Sequence, residues 1–204
     1  MSNGKRILDI IESIDSSLKV NNYFAAISSS IVLIEICASV EFEKDYSKKR
    51  YLKWAEKYLI PLFVDEYKAD KYLNKENLYY LRCSLFHQGS TDPTTQEAYY
   101  KGEFNRVYDI VPFINNVDNL EVIVSDVQNP PVKEHFVNIE PDVNLPTVFV
   151  DVRYLCKKIS KASILWLNSK RDSEKFQKKN MNIFSVANVA IKENDNNRLL
   201  IFRS

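Results

Sequence analysis

The stretch YFAAISSSIVLIEICASVEF, Tyr23 to Phe42, decides the architecture of this chain. Ile27, Ile31, Val32, Leu33, Ile34, Ile36 and Val40 cover nearly every side of a helical wheel, which is the pattern of a central helix contacted on several sides. Its length also suits a membrane span, but Glu35, Glu41 and the run Ser28-Ser29-Ser30 fit a helix buried in a bundle better than one in lipid. Glu35 is the one charge in the interior of this helix. A lone carboxylate there is costly unless a cation or donors meet it, so a partner is expected elsewhere in the chain.

Working outward, Ile7, Ile10, Ile11, Ile14 and Leu18 recur at three- and four-residue steps and predict an amphipathic helix that stops near Val20-Asn21-Asn22. On the other side, Ser47 is expected to cap a helix from Lys48 to Ile60. Its Tyr51, Leu52, Ala55, Tyr58 and Leu59 would face inward, with Lys48, Lys49, Arg50, Lys53 and Lys57 in solvent and Pro61 ending or kinking it. A short helical stretch, Leu62 to Tyr72, and a fourth main helix from Lys75 to about Gln88, with Gly89 as C-cap, complete this half.

Beyond Gly89, Pro112, Pro130, Pro131, Pro141 and Pro146 break the chain into short pieces. Leu120 to Val127 is β-branched and alternating, and is expected to pair with Glu134 to Glu140 across the QNPPVK turn as a β-hairpin insertion at about 118–140. Helix is expected again from about Thr147, where Val152, Leu155, Cys156, Ile159, Ala162, Ser163, Trp166 and Leu167 form one stripe that packs onto the N-terminal helices. Ile183 to Ile191 and Arg198 to Phe202 read as two C-terminal strands. The expected fold is mainly α: one domain over 1–204, with its helical core at about 5–90 and 147–180.

The composition narrows function by exclusion. The 204 residues carry 28 Lys+Arg against 27 Asp+Glu, a formal charge of +1, so bulk charge does not draw this chain onto nucleic acid or anionic membrane. Three glycines and no phosphate-loop motif argue against nucleotide chemistry of the P-loop or dinucleotide-binding kind. Cys37, Cys83 and Cys156 are odd in number and embedded in apolar runs, the usage of buried small hydrophobes in a reducing compartment. With two histidines, His87 and His135, and no C-x-x-C, neither a metal nor a cofactor is expected. The N-terminal twenty residues lack the apolar core of a signal peptide, so a cytosolic location is expected.

One segment combines chemistry-bearing residues: Leu78-Tyr79-Tyr80-Leu81-Arg82-Cys83-Ser84-Leu85-Phe86-His87-Gln88-Gly89-Ser90. Leu78, Leu81 and Leu85 form the core stripe, with Arg82 at its edge. An arginine beside the core needs a carboxylate, and pairing it with Glu35 would satisfy both. His87 lies about 140° around a regular helix from Arg82, so the two converge only through a distorted helix end or a second subunit. His135 reads as a strand surface residue, and Tyr79, Tyr80, Tyr99 and Tyr100 as core or interface aromatics before base-stacking ones. Lys48-Lys49-Arg50 and Lys157-Lys158 with Lys161 read as solvated faces; lining one cleft, they would make an RNA track.

The stretch from Arg82 to His87 resembles the R-x4-6-H signature of HEPN domains, helical-bundle proteins that include metal-independent endoribonucleases, toxins of toxin–antitoxin pairs and phage-defence effectors. The similarity extends to the order of parts over roughly residues 5 to 90: an apolar helix with a glutamate, a basic amphipathic helix, then the helix bearing the motif. The resemblance implies a homodimer with a composite site at its interface, where Arg82 neutralises a phosphate and His87 acts as general base or acid, leaving a 2′,3′-cyclic phosphate on RNA. It also implies an antitoxin or other protein partner. At the position after the arginine, where active members carry a polar Asn, Asp or His, this chain has Cys83. A second account of the same residues makes Arg82 a structural cation paired with Glu35 and His87 a helix C-terminal residue suited to the dipole, in a catalytically silent module for protein–protein interaction.

Overall fold

Helix α1, Asn3–Lys19, buries Ile7, Ile11 and Ile14 as their spacing predicts. In the computed structural model, which describes residues 3–64, 73–88, 109–113, 122–125, 147–170, 173, 176, 189–193 and 199–203, α1 ends where the two asparagines stand. Asn21 takes a left-handed conformation with φ of 58°. The Asn22 amide returns to the Ser17 carbonyl at 2.8 Å and the Asn21 amide to that of Leu18 at 3.1 Å, the paired bonds of a Schellman stop. Asn22 then opens α2, Tyr23–Glu41, its Oδ1 accepting from the Ala25 amide at 3.2 Å.

The described chain is mainly helical, and α2 is its centre. It packs against α1, against α3 (Ser47–Trp54) and against α5 (Val152–Lys170). Ala26, Ile27, Ile31, Leu33, Ile34, Cys37 and Ala38 are buried, each large aliphatic among them contributing about 1.5–3 kcal/mol. Val32 departs from the expected contact on several sides and stays 41% exposed, about two turns along from Phe24, which is also exposed. By length and composition alone, α2 is long and apolar enough to cross a membrane; here its apolar residues are spent on neighbouring helices.

α5 runs parallel to α2. Ser30 meets Cys156 and Cys37 meets Ser163, steps of seven residues in the same direction on both helices. All four side chains are small and buried, letting the helices approach closely. Burial pushes the Cys156 thiol up to about 11 and the Cys37 thiol higher still, so both are inert core residues. The three cysteines are free and buried, as their apolar surroundings imply. The stripe from Val152 to Trp166 faces this core throughout, with Leu167 at its rim, and Asp151 caps the helix through Oδ1 on the Tyr154 amide at 3.0 Å.

The third helix corrects two expectations. It does not run unbroken from Lys48 to Ile60: after Trp54 the chain widens into a π turn, Ala55–Leu59, then tightens into a 3-10 turn, Ile60–Phe63, that holds Pro61 at its start. Nor does Ser47 cap it, because Tyr46 stands at the cap without a side-chain bond and the Ser47 hydroxyl is engaged elsewhere. Helix α4 spans Lys75–Gln88, as its pattern predicts, with Leu78 and Leu81 buried and Leu85 half-buried. Most of Leu62 to Tyr72, and Gly89, lie outside the described residues.

Thr147 does not begin a helix. Thr147–Asp151 is a strand, β3, central in a three-stranded sheet of order β1-β3-β2. β1, Asp109–Phe113, runs parallel to it with Pro112 opposite Val150, and β2, Val122–Ser125, runs antiparallel with Val122 opposite Val150. Within LEVIVSDV, Val122–Ser125 is thus a strand as expected, but its partner is β3, whose Val-rich sequence leads directly into α5; the rest of that segment, Glu134 to Glu140 and His135 lie outside the described residues. β4, Val189–Glu193, and β5, Leu199–Arg203, form an antiparallel pair where two C-terminal strands were expected.

Candidate functional site

The expected contact between Glu35 and Arg82 is replaced by another. Glu35 Oε1 accepts from Arg50 Nη2 at 2.8 Å, from Arg50 Nε at 3.2 Å and from the Ser47 hydroxyl at 2.8 Å. The cause is the order of packing: α3 lies against both α2 and α4, so a carboxylate on the α3-facing side of α2 meets α3's own donors first. Arg50 is therefore not a solvated member of a basic run but a half-buried ion-pair partner, 27% exposed against 22% for Glu35. Glu35 Oε2 is buried and has no hydrogen-bond partner among the described residues.

Arg82 makes no hydrogen bond or ion pair with Glu35 but lies within its field. Its Nη1 lies 3.9 Å from Cys83 Sγ and its guanidinium carbon 6.0 Å from the Tyr79 ring centre. Burial alone would lower the affinity of this guanidinium for its proton, but the Cys83 thiol, Glu35 and Tyr79 outweigh it, so the net direction is up. The Tyr79 hydroxyl is pushed up to about 12, first by burial and then by Cys83. Its ring meets that of Tyr51 edge-on at 5.5 Å, and Tyr51, fully buried, donates to the Leu78 carbonyl at 3.4 Å. Glu35, Arg50, Tyr51, Tyr79, Arg82 and Cys83 thus make one layer across α2, α3 and α4, with Glu35 and Arg82 joined by field and not by contact.

His87 occupies the last turn of α4, and its side chain lies outside the described residues. Because α4 continues as a regular helix through Gln88, positions 82 and 87 stay about 140° apart around its axis. The helix end supplies no distortion that would bring them together within one chain.

Ser47, Arg50 and Trp54, in line with the Tyr51 that was expected to face inward, carry a signal beyond that expectation. At i, i+3, i+4 and i+7 the four form one helical stripe that turns toward α2, which a reading of KKRYLKW by charge alone overlooks. A second carboxylate, Glu41, went unassigned as well. Its Oε1 accepts from Tyr58 at 2.9 Å and pairs with Lys57 at 3.1 Å; its Oε2 accepts from Trp166 Nε1 at 3.2 Å and pairs with Lys170 at 2.6 Å. Burial acts to raise its pKa, but Lys170, Lys57, Trp166 and Tyr58 together bring it down to about 2. This is a clamp between α2, the π turn and α5.

The basic runs are largely committed. Lys49 and Lys53 pair with Asp45 at 2.9 and 2.6 Å, and Lys158 donates to the Leu62 carbonyl at 2.8 Å beside the Tyr154 ring. Lys157 and Lys161 are exposed on α5. Among the described residues, no group of three or more His, Cys, Asp or Glu side chains could hold a metal ion. The chain matches no protein-family model, no curated protein and no solved structure.

Proposed function

We propose that this chain is a HEPN-like endoribonuclease, of the toxin or phage-defence kind, that acts in the cytoplasm as a homodimer, with Arg82 of one subunit and His87 of the other forming each site. The observation that carries this reading is the setting of Arg82: a half-buried guanidinium in a tyrosine and thiol layer, on a helix that keeps His87 about 140° away and so calls for a second copy to complete the site. The mainly helical fold, with an apolar glutamate-bearing helix preceding a basic helix and the motif helix, is consistent with it.

In this mechanism the ribose 2′-oxygen attacks phosphorus, the bond to the 5′-oxygen breaks, and a 2′,3′-cyclic phosphate and a free 5′-hydroxyl result. His87 takes the 2′-proton or supplies one to the leaving oxygen, and an imidazole titrating near neutrality suits either task. Arg82 balances the charge that builds on the phosphate. Glu35 and Cys83 support the site, the first by fixing Arg50 and lending its field to Arg82, the second by lying against the guanidinium. The test is cleavage of RNA by the purified protein with identification of the ends. The expected result is cyclic-phosphate ends lost in His87→Ala and Arg82→Ala; equal cleavage by His87→Ala removes the reading.

A second reading, a catalytically silent helical module that binds a protein partner such as an antitoxin, is favoured by Cys83 at the position after Arg82 and by the outward Phe86, 45% exposed within the motif. Under it, His87→Ala and the wild type bind such a partner equally and neither cleaves RNA.

A further inference from the structure

We propose that Arg50 is a second phosphate-binding residue of this site, so that its ligand is a single-stranded polynucleotide engaged through at least two phosphates. This rests on the RNA-cleaving reading of Arg82 and His87. A guanidinium carries five N–H donors in a rigid planar fork. Arg50 spends one edge on Glu35, through Nε at 3.2 Å and Nη2 at 2.8 Å, both on the same carboxylate oxygen. No described residue accepts from Nη1, and the side chain is partly open to solvent. The open edge has the geometry that takes a phosphate by two parallel bonds.

Two features make this edge more than a leftover surface. First, it is held in place: Glu35 is braced by Ser47 at 2.8 Å, so Arg50 keeps its orientation without a ligand and loses little freedom when one binds. Second, it belongs to the layer that holds Arg82. Tyr51, the next residue after Arg50, meets Tyr79 edge-on, and Tyr79 faces the Arg82 guanidinium. Two guanidinium groups on neighbouring helices, one of them facing the half-buried Tyr79 ring, offer phosphate and base contacts of the kind a single strand needs. The formal charge of +1 makes such local capture necessary, because the whole molecule exerts little pull on a polyanion.

The experiment uses the full chain and a fluorescent 2′-O-methyl oligouridylate, which lacks the attacking hydroxyl and cannot be cleaved, with affinity measured across a range of salt. Each phosphate contact on a single strand contributes a slope of about 0.7 in log affinity against log salt. Arg50→Ala is expected to weaken binding about tenfold and to lower the slope by about 0.7, while Arg50→Lys, which keeps the charge, retains the slope. Arg50→Gln keeps a donor for Glu35 and decides the matter by the same slope if the alanine variant loses its helical circular dichroism. Unchanged slope in the charge-removing variants, or no binding by the wild type, overturns the proposal. Failure of the nuclease reading shows separately, in RNA cleavage unaffected by His87→Ala, because the binding assay needs no chemistry.

Discussion

At the scale of single residues, two carboxylates on α2 six positions apart meet different fates. Glu35 is half-open and holds Arg50; Glu41 is nearly enclosed by four donors from two other segments. Removing Arg50 strands Glu35, so Arg50→Ala is expected to cost about 1–3 kcal/mol in urea unfolding. A double-mutant cycle with Glu35→Gln should return a coupling of about 1 kcal/mol, whereas the cycle between Glu35 and Arg82 should stay within about 0.5 kcal/mol of additivity. A larger coupling to Arg82 would reinstate the contact that the charge pattern first suggested.

Glu41 also sets a pH dependence. Its folded pKa of about 2 lies below the ordinary 4.5, so the unfolded chain binds the proton more readily. The stability it contributes is fully present above pH 4.5 and is lost as pH falls from there toward 2. Glu41→Gln should be less stable than the wild type by about 2 kcal/mol at neutral pH, a figure discounted for partial solvent screening, and the gap should close across that acid window. Thermal melts of both proteins in that range check it; a gap independent of pH would mean that the carboxylate's charge does not matter.

At the scale of elements, the helices were legible wherever one period ran uninterrupted. The three- and four-residue steps of α1 and the stripe of α5 mapped onto burial, α2 buried Ile27, Ile31, Leu33 and Ile34 but left Val32 outward, and Asn21 and Asn22 marked the turn between α1 and α2. The period failed at α3. The π turn begins only after Trp54, and Ala55 and Leu59 within it are buried as expected, so the miss lies in the regular turns before it. Trp54, absent from the expected inward set, is fully buried, while Leu52, included in it, is only half-buried. Trp54→Ala is accordingly expected to cost about 3–5 kcal/mol in chemical denaturation, clearly more than Leu52→Ala. The strand Thr147–Asp151 escaped for another reason. Five residues of alternating Thr, Val and Phe ahead of a helical stripe look like its first turn, and only pairing with β1 and β2 distinguishes the two.

At the scale of the whole molecule, the proposed composite site predicts complementation. In a two-fold dimer, residue 82 of one subunit and residue 87 of the other meet twice. Mixing Arg82→Ala with Glu35-intact His87→Ala chains leaves one complete pair in each mixed dimer, so the mixture should recover up to about a quarter of wild-type cleavage, while each variant alone has none. No recovery in mixed dimers, with mixing shown by tagged copies, would place both residues in one subunit's site or in none.

The sequence by itself determined that this chain is mainly helical, that α2 is its centre and that Arg82 and His87 share one helix at incompatible angles. These follow from periodicity, which is local. Only the tertiary structure decided which cation answers Glu35, which groups enclose Glu41, and that the segment before α5 is a strand. Each of these depends on which element lies beside which, and α3, packed on both α2 and α4, brought Arg50 to Glu35 before Arg82 could reach it. A lone buried charge announces in the sequence that it needs a partner, and the packing order of the helices selects it.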